Sequence, residues 1–305
     1  MIYINELKDD THKQRPGFYV KIIAVYYVLK NGVLLMKVGF IGIGNMASAI
    51  IKGIIEKNYM NSEDIYLYSR TKEKLVVFAA ETKTTICSSN EELIANVDIV
   101  VLAVKPNVLA EILPNLSSAI EKHHPLLVSI AAGTSLQKLT NLIGVKSTNS
   151  IIRVMPNLNS VIGEGMTAVC GNSFSSPEQV QYILGMFKSI GESIELAEKD
   201  FSTFIAIAGS SPAYTFLFID SLARGAVKNG MPKELATKIA AQAVLGSAKL
   251  VLESDQSPWN LIDQVSSPGG TTVAGIVALE DEKFISTVIK GVDATIAKDQ
   301  ELMND

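Results

Sequence analysis

The chain has 305 residues, 48% apolar and 19% charged, with a formal net charge of -4. That length buries a large core and favours two domains. The acidic balance, without a Lys/Arg stripe, excludes a phosphate-tracking nucleic-acid surface. Two cysteines, Cys87 and Cys170, and three histidines are too few for a disulfide framework or a structural zinc site, so no metal is expected and a reducing cytoplasm fits.

Residues 18–29, FYVKIIAVYYVL, form an apolar run shorter than the roughly 20 residues a membrane span requires. Lys8, Lys13 and Arg15 precede it as in a secretory leader, but no small-residue cleavage site follows. Residues 1–35 are read as an upstream extension outside the fold, with Met36 as the start of the folded chain and no membrane anchor.

From Met36 the pattern alternates strand and helix, which predicts a mostly parallel sheet covered on both faces. Val38, Phe40 and Ile41 form a buried strand that runs into Gly42-Ile43-Gly44-Asn45-Met46-Ala47. A helix follows, with Ala49, Ile50, Gly53 and Ile54 on one side. Glycines that let backbone approach a ligand, followed by the free N–H groups of a helix start, make a pyrophosphate cradle. The third glycine of the usual fingerprint is replaced by Ala47.

Asp64 to Tyr68 is the second strand, ending at Ser69-Arg70-Thr71. Sites selective for NAD place a carboxylate here to hold the ribose 2′-OH. A guanidinium and two hydroxyls suit a 2′-phosphate instead, so NADPH is the expected cofactor, with NADH as the alternative. Thr71 to Ala80 is a helix. Asp98 to Val104 is a central strand stopped by Lys105-Pro106, which places Ala103, Val104, Lys105 and Pro106 at the ligand crevice. Leu126 to Ile130 and Ile151 to Val154 are further strands, the latter ending in Met155-Pro156-Asn157. Met166 to Val169 and Ser193 to Leu196 close the sheet around a helix from Pro177 to Ser189.

After Leu196 the alternation stops. Phe201, Phe204, Ile205 and Ala208 recur at helical spacing, as do Tyr214, Leu217, Phe218 and Leu222, with Pro212 as a kink or break between them. Helices follow over Lys233–Glu253, 258–265 and Glu282–Met303. Apolar residues on more than one face predict a bundle completed by a second subunit. One segment does not serve packing: Ser266-Ser267-Pro268-Gly269-Gly270-Thr271-Thr272, before the helix holding Ile276, Val277 and Leu279. Hydroxyls and unpaired N–H groups there would suit a carboxylate.

These residues resemble the pyrroline-5-carboxylate reductase family from Met36 to about Leu302. The resemblance is carried by GIGNMA at 42–47, SRT at 69–71, AVKP at 103–106, SIAAG at 129–133, RVMPN at 153–157, DSLARGAVKNGMP at 220–232, AAQAVLGSAK at 240–249 and SSPGGTT at 266–272. It implies an α/β Rossmann-type domain with a doubly wound sheet over residues 36–198. An all-α dimerisation and substrate domain follows over 199–305. It also implies a cytoplasmic homodimer that assembles further in some members, and reduction of a cyclic imino acid. Asn157 joins Gly42–Ala47, Ser69–Thr71 and Ala103–Pro106 in holding the cofactor. Ser267 and the N–H groups of Gly269, Gly270 and Thr271 hold the substrate carboxylate, and Thr272 assists proton delivery to the ring nitrogen. The chain departs from the family at Leu158-Asn159, where Thr-Pro is usual, and at Ser211, where Gly precedes Pro212. Two other readings are an NADP-dependent hydroxy-acid dehydrogenase, which needs a base such as Lys228, Lys233 or Lys238, and a non-enzymatic NADP-binding sensor, which has no use for SSPGGTT.

Overall fold

The computed structural model describes residues 36–144 and 147–304; the reading of residues 1–35 lies outside the described residues. Eight strands form one sheet: β1 Val38–Ile41, β2 Ile65–Tyr68, β3 Thr85–Ile86, β4 Ile99–Leu102, β5 Leu126–Ser129, β6 Ile151–Met155, β7 Gly165–Gly171 and β8 Gly191–Glu195. Their spatial order is β3-β2-β1-β4-β5-β6-β7-β8. Strands β1 to β6 are parallel; β7 runs antiparallel to β6 and carries β8 parallel to itself. The chain reverses its direction of travel between β1 and β4, and the carboxyl ends of strands flanking such a reversal form a crevice.

The parallel centre of the sheet is built from largely apolar strands. VGFI, IVVL and LLVS are buried at every position, the pattern of strands covered on both faces. One face packs α1 Asn45–Glu56, α2 Lys72–Thr82 and α6 Pro177–Phe187. There Ile50, Ile51 and Ile54 sit against Phe40, Leu67 and Val101. Burying each of these isoleucines contributes about 1.5–3 kcal/mol. The other face packs α3 Asn90–Asn96, α4 Pro106–His123 and α5 Leu136–Ile143 through Leu93, Leu109, Leu113 and Leu139.

Beyond β8 the chain is helical: α7 Phe201–Phe204, a π-helical turn Ile205–Ser210, α8 Ser211–Lys228, α9 Lys233–Glu253, α10 Pro258–Val265, α11 Thr271–Asp281 and α12 Phe284–Asn304. Of the kink or break expected at Pro212, the break is absent. Glu198–Lys228 is one continuous helix that changes register just before the proline. A proline early in a new register displaces no ladder bond that the wider π turn has not already released.

Arg153 of β6 locks this helix to the sheet. It is 1% exposed, pairs with Glu198 at 3.0 Å and lies 4.5 Å over the Phe201 ring. Glu198 also accepts the Leu136 N–H at 2.7 Å. Helix α12 is pinned by Ser202 donating to buried Asp299 at 2.8 Å and by the Tyr214–Thr295 hydroxyl pair. The far part of the Glu198–Lys228 helix and α9 leave large apolar side chains uncovered in the single chain, with Leu217 67%, Leu245 60% and Leu252 86% exposed. By length and composition alone, Glu198–Lys228 and Lys233–Glu253 are apolar enough to cross a membrane.

Candidate active site

The carboxyl ends of β1, β2 and β4 open into a cavity of about 670 Å³ lined from Ile41 to Ile112. At its floor the Gly42 N–H donates to Tyr68 O at 2.8 Å, and the Ala103 N–H donates to Ile41 O at 2.9 Å, so the three strand ends are tied together. Gly42 adopts φ +101°, and a Cβ there would lie 2.7 Å from Ala103 O. Only glycine fits this turn. Gly44 is different: its φ of -69° is ordinary, and nothing lies within 4 Å of where a Cβ would point. The open space above it is the approach to the start of α1, whose first N–H groups carry no side-chain cap and no nearby acidic residue.

Of the residues expected to hold a cofactor, Gly42, Ile43, Gly44, Ser69, Arg70, Thr71, Ala103, Val104 and Lys105 line this one cavity. Asn45 is exposed, Met46 half-buried and Ala47 buried in the core, all on the first turn of α1, and exposed Pro106 opens α4. Asn157 is not at the cavity. It is buried, donating from Nδ2 to Ala208 O at 2.9 Å and accepting the Met166 N–H on Oδ1 at 3.1 Å. Sequence reasoning missed Lys74 and Asn90, which also line the cavity. Asn90 Oδ1 is buried without a partner among the described residues. The Ser89-Asn90-Glu91-Glu92 spacing is a helix-start signal that could have found it, and Ser89 does cap Glu92 at 3.1 Å.

Arg70, Lys74 and Lys105 bring three cations to the cavity, and no carboxylate lines it. Thr71 occupies the cap position of α2 yet makes no side-chain cap bond, which leaves its hydroxyl for a ligand. Cations beside two uncapped helix starts and an unpartnered amide oxygen match a phosphorylated dinucleotide, and the residues present fit NADP(H).

The segment Ser266–Thr272 builds a second anion-ready feature. Gly269 adopts φ +71°, the Gly270 N–H turns back to Ser267 O at 2.9 Å, and α11 then begins with no side-chain cap and no acidic residue in its first turn. Among the described residues, the hydroxyls of Ser267, Thr271 and Thr272 take no hydrogen-bond partner. Ser267, Gly269, Thr271 and Thr272 are exposed. No residue of this segment lines the cavity of the same chain.

Comparison with known proteins gives this arrangement a context. Residues 198–302 match the family model described as pyrroline-5-carboxylate reductase dimerisation, and residues 37–133 match one described as NADP oxidoreductase, coenzyme F420-dependent. The chain is 38% identical over 266 residues to pyrroline-5-carboxylate reductase of Escherichia coli K12, covering 87% of this chain and 98% of that one. It is 34% identical to the enzyme of that name from Glycine max, covering 87% and 95%. Among solved structures, a pyrroline-5-carboxylate reductase from Coxiella burnetii superposes with a TM-score of 0.83 at 31% identity, covering 88% of this chain and 99% of that one. A pyrroline carboxylate reductase from Plasmodium falciparum with NADP bound gives 0.79 at 36% identity, covering 89% and 100%.

Proposed function

The chain belongs to the pyrroline-5-carboxylate reductase family, and on that premise we propose that it reduces 1-pyrroline-5-carboxylate to L-proline, the last step of proline biosynthesis, with NADPH as the preferred reductant. The observation that carries the reading is the uncapped start of α11 behind Gly269-Gly270, an anion seat that a generic dinucleotide-binding protein does not need.

Bound NADPH supplies the hydride, which the imine carbon receives. The chain's own residues do the rest. Arg70, with Lys74 beside it, selects a 2′-phosphate, and Gly42–Ala47 present the α1 N–H groups to the pyrophosphate. Asn90 Oδ1 accepts from a ligand donor. Ser267 and the N–H groups of Gly269, Gly270 and Thr271 hold the substrate carboxylate and so fix the ring in one orientation. The Thr272 hydroxyl hydrogen-bonds the ring nitrogen and relays a proton to it from bound water, since a threonine is too weak an acid to act alone.

The cavity is lined by residues 41–112 only, whereas the anion seat lies in the half that matches the dimerisation model. A second copy of the chain therefore covers the exposed Leu217, Leu245 and Leu252 and sets its own α11 start over the cavity, with the division between halves at residues 198 and 199. The apolarity of the two long helices is read as belonging to this interface, in a cytoplasmic homodimer or an assembly of such dimers, rather than to a membrane.

The test is absorbance loss at the reduced nicotinamide band with pyrroline-5-carboxylate, run with each cofactor. Imine-dependent oxidation that is faster with NADPH supports the proposal. Oxidation only with keto acids, the reverse of hydroxy-acid dehydrogenation, or none with any substrate, overturns it.

A further inference from the structure

The helix Glu198–Lys228 passes from π to α register at Ser211, just before Pro212, which has no amide hydrogen. Counting four residues back, the donor missing at Pro212 belongs to Ala208 O; counting five back, to Ile207 O. Both of these carbonyls accept from side chains. Asn157 Nδ2, reaching across from the carboxyl end of β6, donates to Ala208 O at 2.9 Å. Ser211 Oγ, from within the helix, donates to Ile207 O at 2.8 Å. Asn157 is 6% exposed and its other amide end holds the Met166 N–H. A single side chain thus ties the end of β6, the start of β7 and the register change together. Beside it lies a cavity of about 280 Å³ whose lining includes Asn159, Met166, Ser211 and Phe216.

We infer that Asn157 and Ser211 are positioning residues, which serve the two carbonyls facing the one donor that Pro212 lacks and thereby fix the spacing between the cofactor sheet and the helical half. A register change left unsatisfied relaxes by sliding toward continuous α-helix, which rotates everything beyond it relative to β6. Ser211 stands where the family usually has glycine, so this chain holds its register change with a hydroxyl that the common pattern lacks. The kinetic part of this inference rests on the reductase reading; the backbone part does not.

The experiment compares Ser211→Ala, Ser211→Thr and Asn157→Asp in the full-length protein. Threonine keeps a hydroxyl that reaches the carbonyl four residues back. Aspartate keeps the acceptor for Met166 N–H and loses the donor to Ala208 O. Expected for both Ser211→Ala and Asn157→Asp is a fall in kcat of roughly tenfold, below the hundredfold that a 1 Å misplacement can reach. The KM for NADPH stays within about twofold, because neither residue lines the cavity at the ends of β1, β2 and β4, and Ser211→Thr restores kcat. Amide exchange over residues 205–211 quickens in Ser211→Ala while exchange in α9 is unchanged. Wild-type kcat in both variants, failure of threonine to rescue, or a loss in Asn157→Asp that falls on the NADPH KM overturns the inference. Should the wild-type protein itself show no imine-dependent oxidation, the functional reading fails, and amide exchange alone decides whether Ser211 holds the register change.

Discussion

Gly42 and Gly44 stand two residues apart, yet the structure gives them opposite reasons to be glycine. At Gly42 an alanine must adopt φ +101° and place its Cβ 2.7 Å from Ala103 O and 2.8 Å from Val104 Cγ1. A side chain at positive φ costs about 1–2 kcal/mol, and the forced shift of packed neighbours roughly 1–3 more. A total near 3 kcal/mol lowers Tm by roughly 6–12 °C at this chain length. At Gly44 the backbone accepts alanine and nothing occupies the methyl's position. As this residue caps α1, its replacement shifts stability by no more than about 1 kcal/mol. The methyl does occupy the approach of a phosphate oxygen, which must come to about 2.9 Å of the amides. NADPH affinity should fall roughly 10- to 100-fold, equivalent to about 1.4–2.8 kcal/mol. Thermal melting separates the first effect, and titration of NADPH fluorescence the second. A Gly44→Ala protein that binds NADPH within about twofold of wild type, or that melts as early as Gly42→Ala, refutes the cradle.

Four further outcomes follow from the same geometry. Arg70→Ala should reduce the preference for NADPH over NADH by about tenfold, the low end for a charged hydrogen bond because Arg70 is exposed; KM values for the two cofactors check it. Thr272→Ala should lower imine turnover by about 10²- to 10⁴-fold with NADPH binding unchanged, and unaltered turnover removes Thr272 from the mechanism. Glu198→Ala leaves the buried Arg153 guanidinium without its partner, and because Glu198 is itself 29% exposed the low end of the range applies, about 3 kcal/mol or a Tm lower by roughly 6–12 °C. Burial, with Glu92 nearby, pushes the Cys87 thiol up to about 11, so at pH 8 a thiol reagent should leave Cys87 unlabelled in the native protein and label it on unfolding.

The sheet was legible because its central strands are almost wholly apolar, a signal strong enough to place β1, β4, β5 and β6 and the crevice at their ends. α9 and α10 were legible from helical spacing and from Pro258 at a helix start. What escaped was short or non-local. β3 is two exposed residues at a sheet edge, with no periodicity to read. α3 spans Asn90–Asn96 only, and its capping signal was passed over, which hid Asn90. Asn157 could be read at a strand end, but not its partners within the chain, Met166 and, 51 residues along, Ala208. Pro212 was read by the rule for α-helices, whereas a π turn absorbs it. Glu198 gave no sequence sign that it would meet Arg153.

In the proposed dimer the cofactor cavity of one chain meets the SSPGGTT segment of another. The most direct measurement is the activity of mixed dimers assembled from Gly44→Asp chains, whose carboxylate repels the pyrophosphate, and Thr272→Ala chains. Each parent should be nearly inactive. Random reassembly makes about half the dimers hybrids, each with one of its two symmetry-related sites intact, so activity should recover to roughly a quarter of wild type. A mixture that stays at the level of the parents places both features in the same chain's site and contradicts the account.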